Sequence, residues 1–218
     1  MFYLLYAALV LFPNPSYFLS RRNILQTGIV MSSLFDTKTI KNGPNDDDIG
    51  FIRSFNNNLY YSGPITDSAI FSISSNLITI QNEANFDHIN LHMQSQGGSL
   101  LPSLGLVDLI RTSYIPINTF VDGYCASAAS LITVVGAQRF INRYGVILIH
   151  QLKMGVEPSK YLEIRDQTDN ADTLMKIVKD IYLENTRLSN EKLDELLMHD
   201  WWLNSTLTKK YGIVDIVI

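Results

Sequence analysis

Segments with strand periodicity and segments with helix periodicity alternate along residues 59–218, and this alternation limits the fold more than any other feature of the sequence. Apolar and polar residues alternate over 88–94, which predicts a strand with one buried face. The apolar run 146–149 predicts a second, buried strand. Repeated strand–helix units of this kind predict an α/β fold built on a largely parallel sheet.

The segments between these strands predict helices of different length and character. Thr66 or Asp67 can cap the first helix, and Pro102 suits the first turn of the second. Segment 124–135 is rich in Ala and Ser and predicts a tightly packed helix, whereas a long helix is expected over about 159–188. Further strands are expected over 59–61, 115–121 and 213–218, a shorter helix near 193–197, and an apolar stripe on the long helix at Leu174, Ile177, Val178, Ile181 and Tyr182.

Composition and charge narrow the possible functions. The 218 residues suit one domain with an extension, and the net charge of −4 argues against nucleic acid as the main partner. The single cysteine, Cys125, excludes an intramolecular disulfide and a cysteine-rich zinc site, and we expect it to be a small buried hydrophobe. His88 and His92 point to one face of a predicted strand, and we expect structural or exposed residues there rather than metal ligands.

Residues 1–48 differ from the rest of the chain and predict a targeting leader or extension followed by a linker. The first twelve residues are continuously apolar, too few to span a bilayer, and no acidic residue precedes Asp36. Arg21, Arg22 and several serines then give the composition of an organelle transit peptide, which indicates the interior of a plastid or another organelle. An extension without an address, on a cytoplasmic protein, is the alternative. We place the folded domain at 49–218.

Three segments carry residues suited to chemistry, and each also has a structural explanation. Gly97 and Gly98 can bring a backbone N–H to a ligand, or form a plain tight turn. Ser127 is a candidate nucleophile whose neighbour Ala128 can supply an oxyanion N–H, or it belongs to a helix whose serines allow close packing. His150, at the end of a buried strand, has the fixed backbone of a general base, or is a satisfied core histidine.

Taken together and in order, these segments resemble the ClpP family, the proteolytic subunits of the Clp protease, which are serine peptidases. The resemblance covers about residues 59–218, and it rests on four regions in the same order as in the family. The family's S-P-G-G corresponds to residues 95–98, its G-x-A-A-S-M-G to 123–129, its M-I-H-Q-P to 148–152, and its D-R-F-L and Y-G-L-V-D to 200–203 and 211–215.

The resemblance implies the ClpP/crotonase-like α/β fold of repeated β-α units, in which the long helix over 159–188 protrudes as a handle. It also implies the proteolytic subunit of an ATP-dependent Clp protease, a serine endopeptidase that hydrolyses unfolded polypeptides inside an oligomeric chamber. Self or paralogous subunits would form stacked heptameric rings, with an AAA+ unfoldase as a possible partner. No metal or organic cofactor is implied, because only the partner unfoldase uses ATP.

The resemblance further assigns a role to each matching site residue. Ser127 takes the position of the nucleophile, and His150 takes that of the general base. Asp200 takes the position of the third triad member, which orients the imidazole and stabilises its cation. The backbone N–H groups of Gly98 and Ala128 take the positions of the oxyanion hole.

The sequence departs from the family pattern in the loops around the triad. Gln96 stands in place of the proline of S-P-G-G, Ala129 in place of the glycine after the nucleophile, and Leu152 in place of the proline after His-Gln. The three triad side chains are retained. Asp200 is followed by two tryptophans, which are expected to bury its carboxylate and so strengthen its bond to the histidine.

Two other functions remain open at the level of the sequence. A non-catalytic ring subunit of the same fold is favoured by the altered loops and disfavoured by the retained triad. A crotonase-fold acyl-CoA hydratase or isomerase is less favoured, because such enzymes typically use paired carboxylates. Asp122 is the only acid in the two segments around Gly98 and Ser127.

Overall fold

The computed structural model describes residues 50–83, 86–155, 158 and 160–218. The predicted leader and nearly all of the predicted linker lie outside the described residues. The strands are β1 (Phe51–Phe55), β2 (Asn58–Ser62), β3 (Ile89–Ser95), β4 (Ile117–Ala126), β5 (Arg139–Ile141), β6 (Val146–Leu148), β7 (Trp202–Asn204) and β8 (Ile216–Val217). The helices are α1 (Asp67–Glu83), α2 (Leu100–Thr112), α3 (Ala128–Val134), α4 (Tyr161–Asn185), α5 (Asn190–Leu197) and α6 (Ser205–Lys210).

These strands form one mixed sheet, which confirms the predicted α/β fold. The strand order is β1-β2-β3-β4-β5-β8, and β6 pairs with both β4 and β7. The β1–β2 and β6–β7 pairs are antiparallel, while the other described pairs are parallel. Parallel pairing brings the carboxyl ends of β3, β4 and β6 to the same edge, where sites collect in open α/β sheets.

The two faces of the sheet carry different side chains. Leu59, Leu91 and Val121 lie on the face that is buried in the core, beneath the helices. The opposite face carries a row of stacked rings, here called the ring ladder, with 4.3 Å between the centroids at each step. The ladder follows the strand register across β2, β3, β4 and β5 and consists of Tyr60, His92, Phe120 and Phe140.

The long helix expected from the sequence is present as α4, although it is a few residues shorter at each end than predicted. Its second half packs on the domain through Val178, Ile181 and Tyr182, which are buried. Its first half is exposed and includes apolar side chains such as Tyr161 and Leu162. The helix therefore protrudes from the domain along its first half. Among the described residues, no helix has the length and apolar character needed to cross a bilayer.

The predicted helix over 124–135 is wrong in its first part. Tyr124, Cys125 and Ala126 belong to β4, and α3 begins only at Ala128. Pairing with β3 on one side and β6 on the other extends the strand, because tertiary pairing overrides the weak local preference of small residues. Strands β5 and β7, of three residues each, were not predicted, since so short a segment shows no periodicity.

Candidate active site

Ser127 occupies the turn between β4 and α3, and its backbone is strained. Its φ of 55° and ψ of −128° lie in a region that residues with a side chain rarely adopt. Its N–H donates to the Leu148 carbonyl at 3.0 Å, and its carbonyl accepts the N–H of Ser130 at 2.9 Å. A strained strand-to-helix turn is also how α/β-hydrolases expose their nucleophile. The turn has this property here without the G-x-S-x-G sequence.

The glycine loop after β3 packs directly against Ser127. Gly97 has a φ of 88°, and a Cβ atom built on it would lie 2.7 Å from the Cβ of Ser127. Gly98 also has a positive φ, and a Cβ there would collide with the carbonyl oxygen of Ile65. Ile65 donates its N–H to the Gly97 carbonyl at 2.9 Å and accepts the N–H of Ser99 at 2.7 Å. Only glycine fits both positions without a shift of the backbone.

Two backbone N–H groups near Ser127 are available as donors. Ala128 is the first residue of α3, so its N–H has no acceptor within the helix. The Gly98 N–H likewise has no acceptor in the part of the chain that the structure describes. A Cβ on Gly97 would lie 3.1 Å from the Ala128 nitrogen, so the glycine loop adjoins the start of α3. Free N–H groups in such a position are what an oxyanion hole requires.

The antiparallel pairing of β6 with β7 brings His150 and Asp200 together. Its register pairs Leu148 with Trp202, and continuing it by two residues along each strand sets His150 opposite Asp200. The Nδ1 atom of His150 lies 3.5 Å from Oδ1 of Asp200. Gln151, the residue after His150, donates its N–H to the Leu197 carbonyl at 2.9 Å. This hydrogen bond attaches the chain that follows β6 to the end of α5.

The carboxylate of Asp200 is exposed, so the expectation that two tryptophans bury it is wrong. Its side chain is 81% exposed, whereas that of His150 is 23% exposed. Trp201 stacks on the neighbouring His199 at 4.1 Å, and Trp202 turns toward β4, so both rings have other contacts. The 3.5 Å separation from the imidazole is longer than a charge-assisted hydrogen bond of about 2.7–2.9 Å, and water competes for the carboxylate.

A hydrogen-bond chain that no sequence pattern predicted joins α4 to the Ser127 turn. The Ser130 hydroxyl donates to the Ser127 carbonyl at 2.6 Å. Because that donation uses the only hydroxyl proton of Ser130, the Tyr182 hydroxyl donates to Ser130 Oγ, also at 2.6 Å. Burial raises the pKa of Tyr182, which keeps this donor protonated. The two partners lie 52 residues apart, beyond the reach of any local pattern.

A cleft of about 540 Å³ opens beside His150 and Asp200. Its walls come from one face of the three neighbouring strands β4, β6 and β7. The rings of Tyr124 and Trp202 meet edge to face there, with centroids 6.3 Å apart and an interplanar angle of 85°. The remaining walls are mostly apolar and are formed by Ala126, Val146 and Leu148, with Gln96 beside them.

Other reactive residues near the site have structural roles. Cys125 is buried, as predicted, and burial raises the pKa of its thiol, so it is a poor nucleophile. His92 belongs to the ring ladder, and its Nδ1 lies 2.8 Å from the Asp122 carboxylate, a partner that the sequence did not reveal. Within the described residues, no group of three or more His, Cys, Asp or Glu side chains could hold a metal ion.

A strained serine lies at a strand-to-helix turn of this α/β sheet, and its N–H donates to the carbonyl of Leu148, two residues before the histidine of a His–Asp pair. Strand-end arrangements of these residue types are typical of serine hydrolases. Comparison with known proteins agrees with this class. Residues 52–218 match the model of a family described as Clp protease. The chain belongs to the Clp protease family, whose members are oligomeric serine peptidases that work with a partner unfoldase.

One curated relative supports the same family. The chain is 28% identical over 160 residues to an ATP-dependent Clp protease proteolytic subunit from Cyanophora paradoxa. The matched region covers 72% of this chain and 81% of the relative. The resemblance stated from the motifs is therefore confirmed for the family and its fold.

Proposed function

We propose that this protein is a serine-type endopeptidase in which Ser127, His150 and Asp200 form the catalytic triad. The observation that carries the proposal is the contact between His150 and Asp200, at 3.5 Å, made at strand ends that adjoin the strained Ser127 turn. The β4–β6 and β6–β7 registers support the proposal, because they place the ends of three segments that are distant in the chain side by side. A histidine with only a structural role in the core would explain neither the contact with Asp200 nor the strained backbone of Ser127.

The proposed reaction follows from the roles of these groups. His150 accepts the hydroxyl proton of Ser127 as its oxygen attacks a peptide carbonyl, and the N–H groups of Gly98 and Ala128 donate to the oxyanion. The imidazolium then gives its proton to the leaving amine, and an acyl-enzyme remains on Ser127. Water, deprotonated by His150, hydrolyses the acyl-enzyme. Asp200 orients the imidazole throughout, although its exposure weakens its hold on the imidazolium.

The substrates that we propose are unfolded polypeptides, cleaved in a chamber formed by several copies of this chain or by related subunits. The exposed apolar side chains on the first half of α4 support an assembly, because such surface is usually covered in the working protein. We propose stacked heptameric rings and an AAA+ unfoldase that alone uses ATP, so the peptidase itself would need no cofactor. The composition of residues 1–48 supports import into a plastid.

A fluorophosphonate probe tests the proposal directly, because it forms a covalent bond only with an activated serine. The full chain should be labelled on Ser127 and should cleave a short fluorogenic peptide. Ser127→Ala should abolish both, whereas Ser68→Ala, which replaces an exposed serine on α1, should leave both unchanged. An assembled protein without labelling and without cleavage would contradict the proposal and favour the non-catalytic ring subunit.

A further inference from the structure

The cleft beside the His–Asp pair exposes aromatic and apolar side chains. Trp202 is half exposed, at 49%, although a large aromatic side chain is usually covered. Its ring and that of Tyr124 form two walls of the cleft, and apolar side chains form most of the others. The cleft therefore offers an apolar side chain a place to leave water, immediately next to His150.

The position of the cleft relative to the triad indicates which part of a substrate it would meet. The described residues that line the cleft include His150 and Asp200 but not Ser127. In the proposed reaction the imidazole delivers a proton to the leaving amine, so that amine must lie against the imidazole. The residue attached to the amine, the first one after the scissile bond, then lies closest to the cleft.

We infer that this cleft is the subsite for the residue that follows the scissile bond, and that Trp202 and Tyr124 select an apolar, preferably aromatic, side chain there. The exposed Asp200 carboxylate at the rim adds discrimination against acidic side chains, since like charges repel. This inference rests on the proposed peptidase function and specifies the substrate class of the same site.

Internally quenched peptides that differ only in the residue after the scissile bond test the inference on the full chain. With Phe, Ala or Glu at that position, kcat/KM should fall in this order, by about tenfold from Phe to Ala. Mass spectrometry of the products verifies that the same bond is cleaved. Trp202→Ala should lower kcat/KM for the Phe peptide about tenfold and bring it to the level of the Ala peptide.

Two further variants distinguish a loss of side-chain preference from a general disturbance of the fold. Trp202→Phe keeps an aromatic wall and should retain the preference for the Phe peptide. Trp201→Ala removes an equally exposed tryptophan, at 47%, that stacks on His199 outside the cleft, and the preference should be unchanged.

Labelling by the fluorophosphonate probe distinguishes the two ways of failing. Its leaving group is a fluoride ion, which does not occupy the subsite, so a Trp202→Ala protein that still labels on Ser127 has an intact nucleophile. If that protein labels and its ratio of Phe to Ala cleavage equals that of the wild type, the inference is overturned and the proposed function stands. If the wild-type protein neither labels nor cleaves, the proposed function fails and the inference fails with it.

Discussion

The conformation of Ser127 depends on a neighbour that has no side chain. Gly97 lies against the strained turn, and a Cβ on it would come within 2.5 Å of the Ala126 carbonyl oxygen and 2.7 Å of the Ser127 Cβ. Contacts this short cannot be relieved by rotating a flexible side chain, because they involve the backbone and the first atom of Ser127. The absence of a side chain at Gly97 therefore allows Ser127 to keep its strained conformation.

Gly97→Ala should damage the site through this contact. We expect at least a hundredfold loss of fluorophosphonate labelling and a free energy of unfolding lower by about 2–3 kcal/mol, because the turn must shift to admit the methyl group. Labelling rates and urea denaturation measure the two effects. Gly105→Ala is the matched control, since a Cβ there meets nothing within 4 Å in the middle of α2, and it should stabilise the protein slightly. Normal labelling of the Gly97 variant would contradict this account.

Single residues differ in how much the sequence reveals of them. Ser127 and His150 could be proposed from the sequence because each follows a predicted strand in a recognisable motif, and motifs preserve local order. The exposure of Asp200 was predicted wrongly, because adjacency to two tryptophans in the chain does not determine which way their rings turn. Ser130 and Tyr182 were missed as a pair, since only the packing of α4 on α3 joins them.

At the level of elements, α4 is coupled to the Ser127 turn. Its packed half supplies Tyr182, whose hydroxyl bonds Ser130, which in turn bonds the Ser127 carbonyl. The exposed half of the same helix carries the apolar side chains that an assembly would cover. A single helix therefore links the proposed contact surface to the backbone of Ser127.

Tyr182→Phe should weaken this link while leaving the packing in place. We expect kcat to fall about three- to tenfold with KM unchanged, and the free energy of unfolding to fall by about 1 kcal/mol, because one buried hydrogen bond is lost. Steady-state kinetics and urea denaturation give the two values. Tyr161→Phe, at the exposed start of the same helix, is the control and should change neither. An unchanged kcat in the Tyr182 variant would leave the residue with a packing role only.

Elements were predicted well where they are long and poorly where pairing creates them. The alternation over 88–94 and the apolar stripe of α4 are properties of the chain itself, and both elements are present. Residues 124–126 form a strand because they pair with β3 on one side and β6 on the other. Pairing between distant segments cannot be predicted from a local sequence pattern. The β6–β7 pairing, which positions two of the three residues of the proposed triad, is of the same kind.

For the whole molecule, one ion pair ties the last strand to the rest of the fold. The Arg139 guanidinium contacts the Asp215 carboxylate through two hydrogen bonds, at 2.6 Å and 2.9 Å, and also donates to the carbonyl of Asn185 at the end of α4. Burial acts to raise the pKa of Asp215, but the hydrogen bonds and charge of Arg139 outweigh it and lower the pKa. The pair thus stabilises the fold while Asp215 is ionised.

Asp215→Asn should lower the free energy of unfolding at pH 7 by about 1–2 kcal/mol, a value reduced because the carboxylate is partly exposed. Since the pKa of Asp215 is lower in the folded state, this contribution is present above its ordinary value of 3.8 and is lost as the pH falls further. The difference between wild type and variant should therefore shrink between pH 5 and pH 2, measured by urea denaturation. Glu184→Gln, in the exposed pair with Arg111, should cost less than about 0.5 kcal/mol at any pH. A difference independent of pH would contradict the assignment.

The register between β6 and β7 also determines which parts of this molecule can change in evolution. His150 and Asp200 face each other because two short strands are paired, and the exposed first half of α4 takes no part in that alignment. Insertions or deletions of helical turns in this exposed half can change its length at no cost to the pairing. One residue gained or lost inside either strand would instead turn a partner to the opposite side of the sheet. The reach of the helix and the alignment of the two residues can therefore change independently of each other.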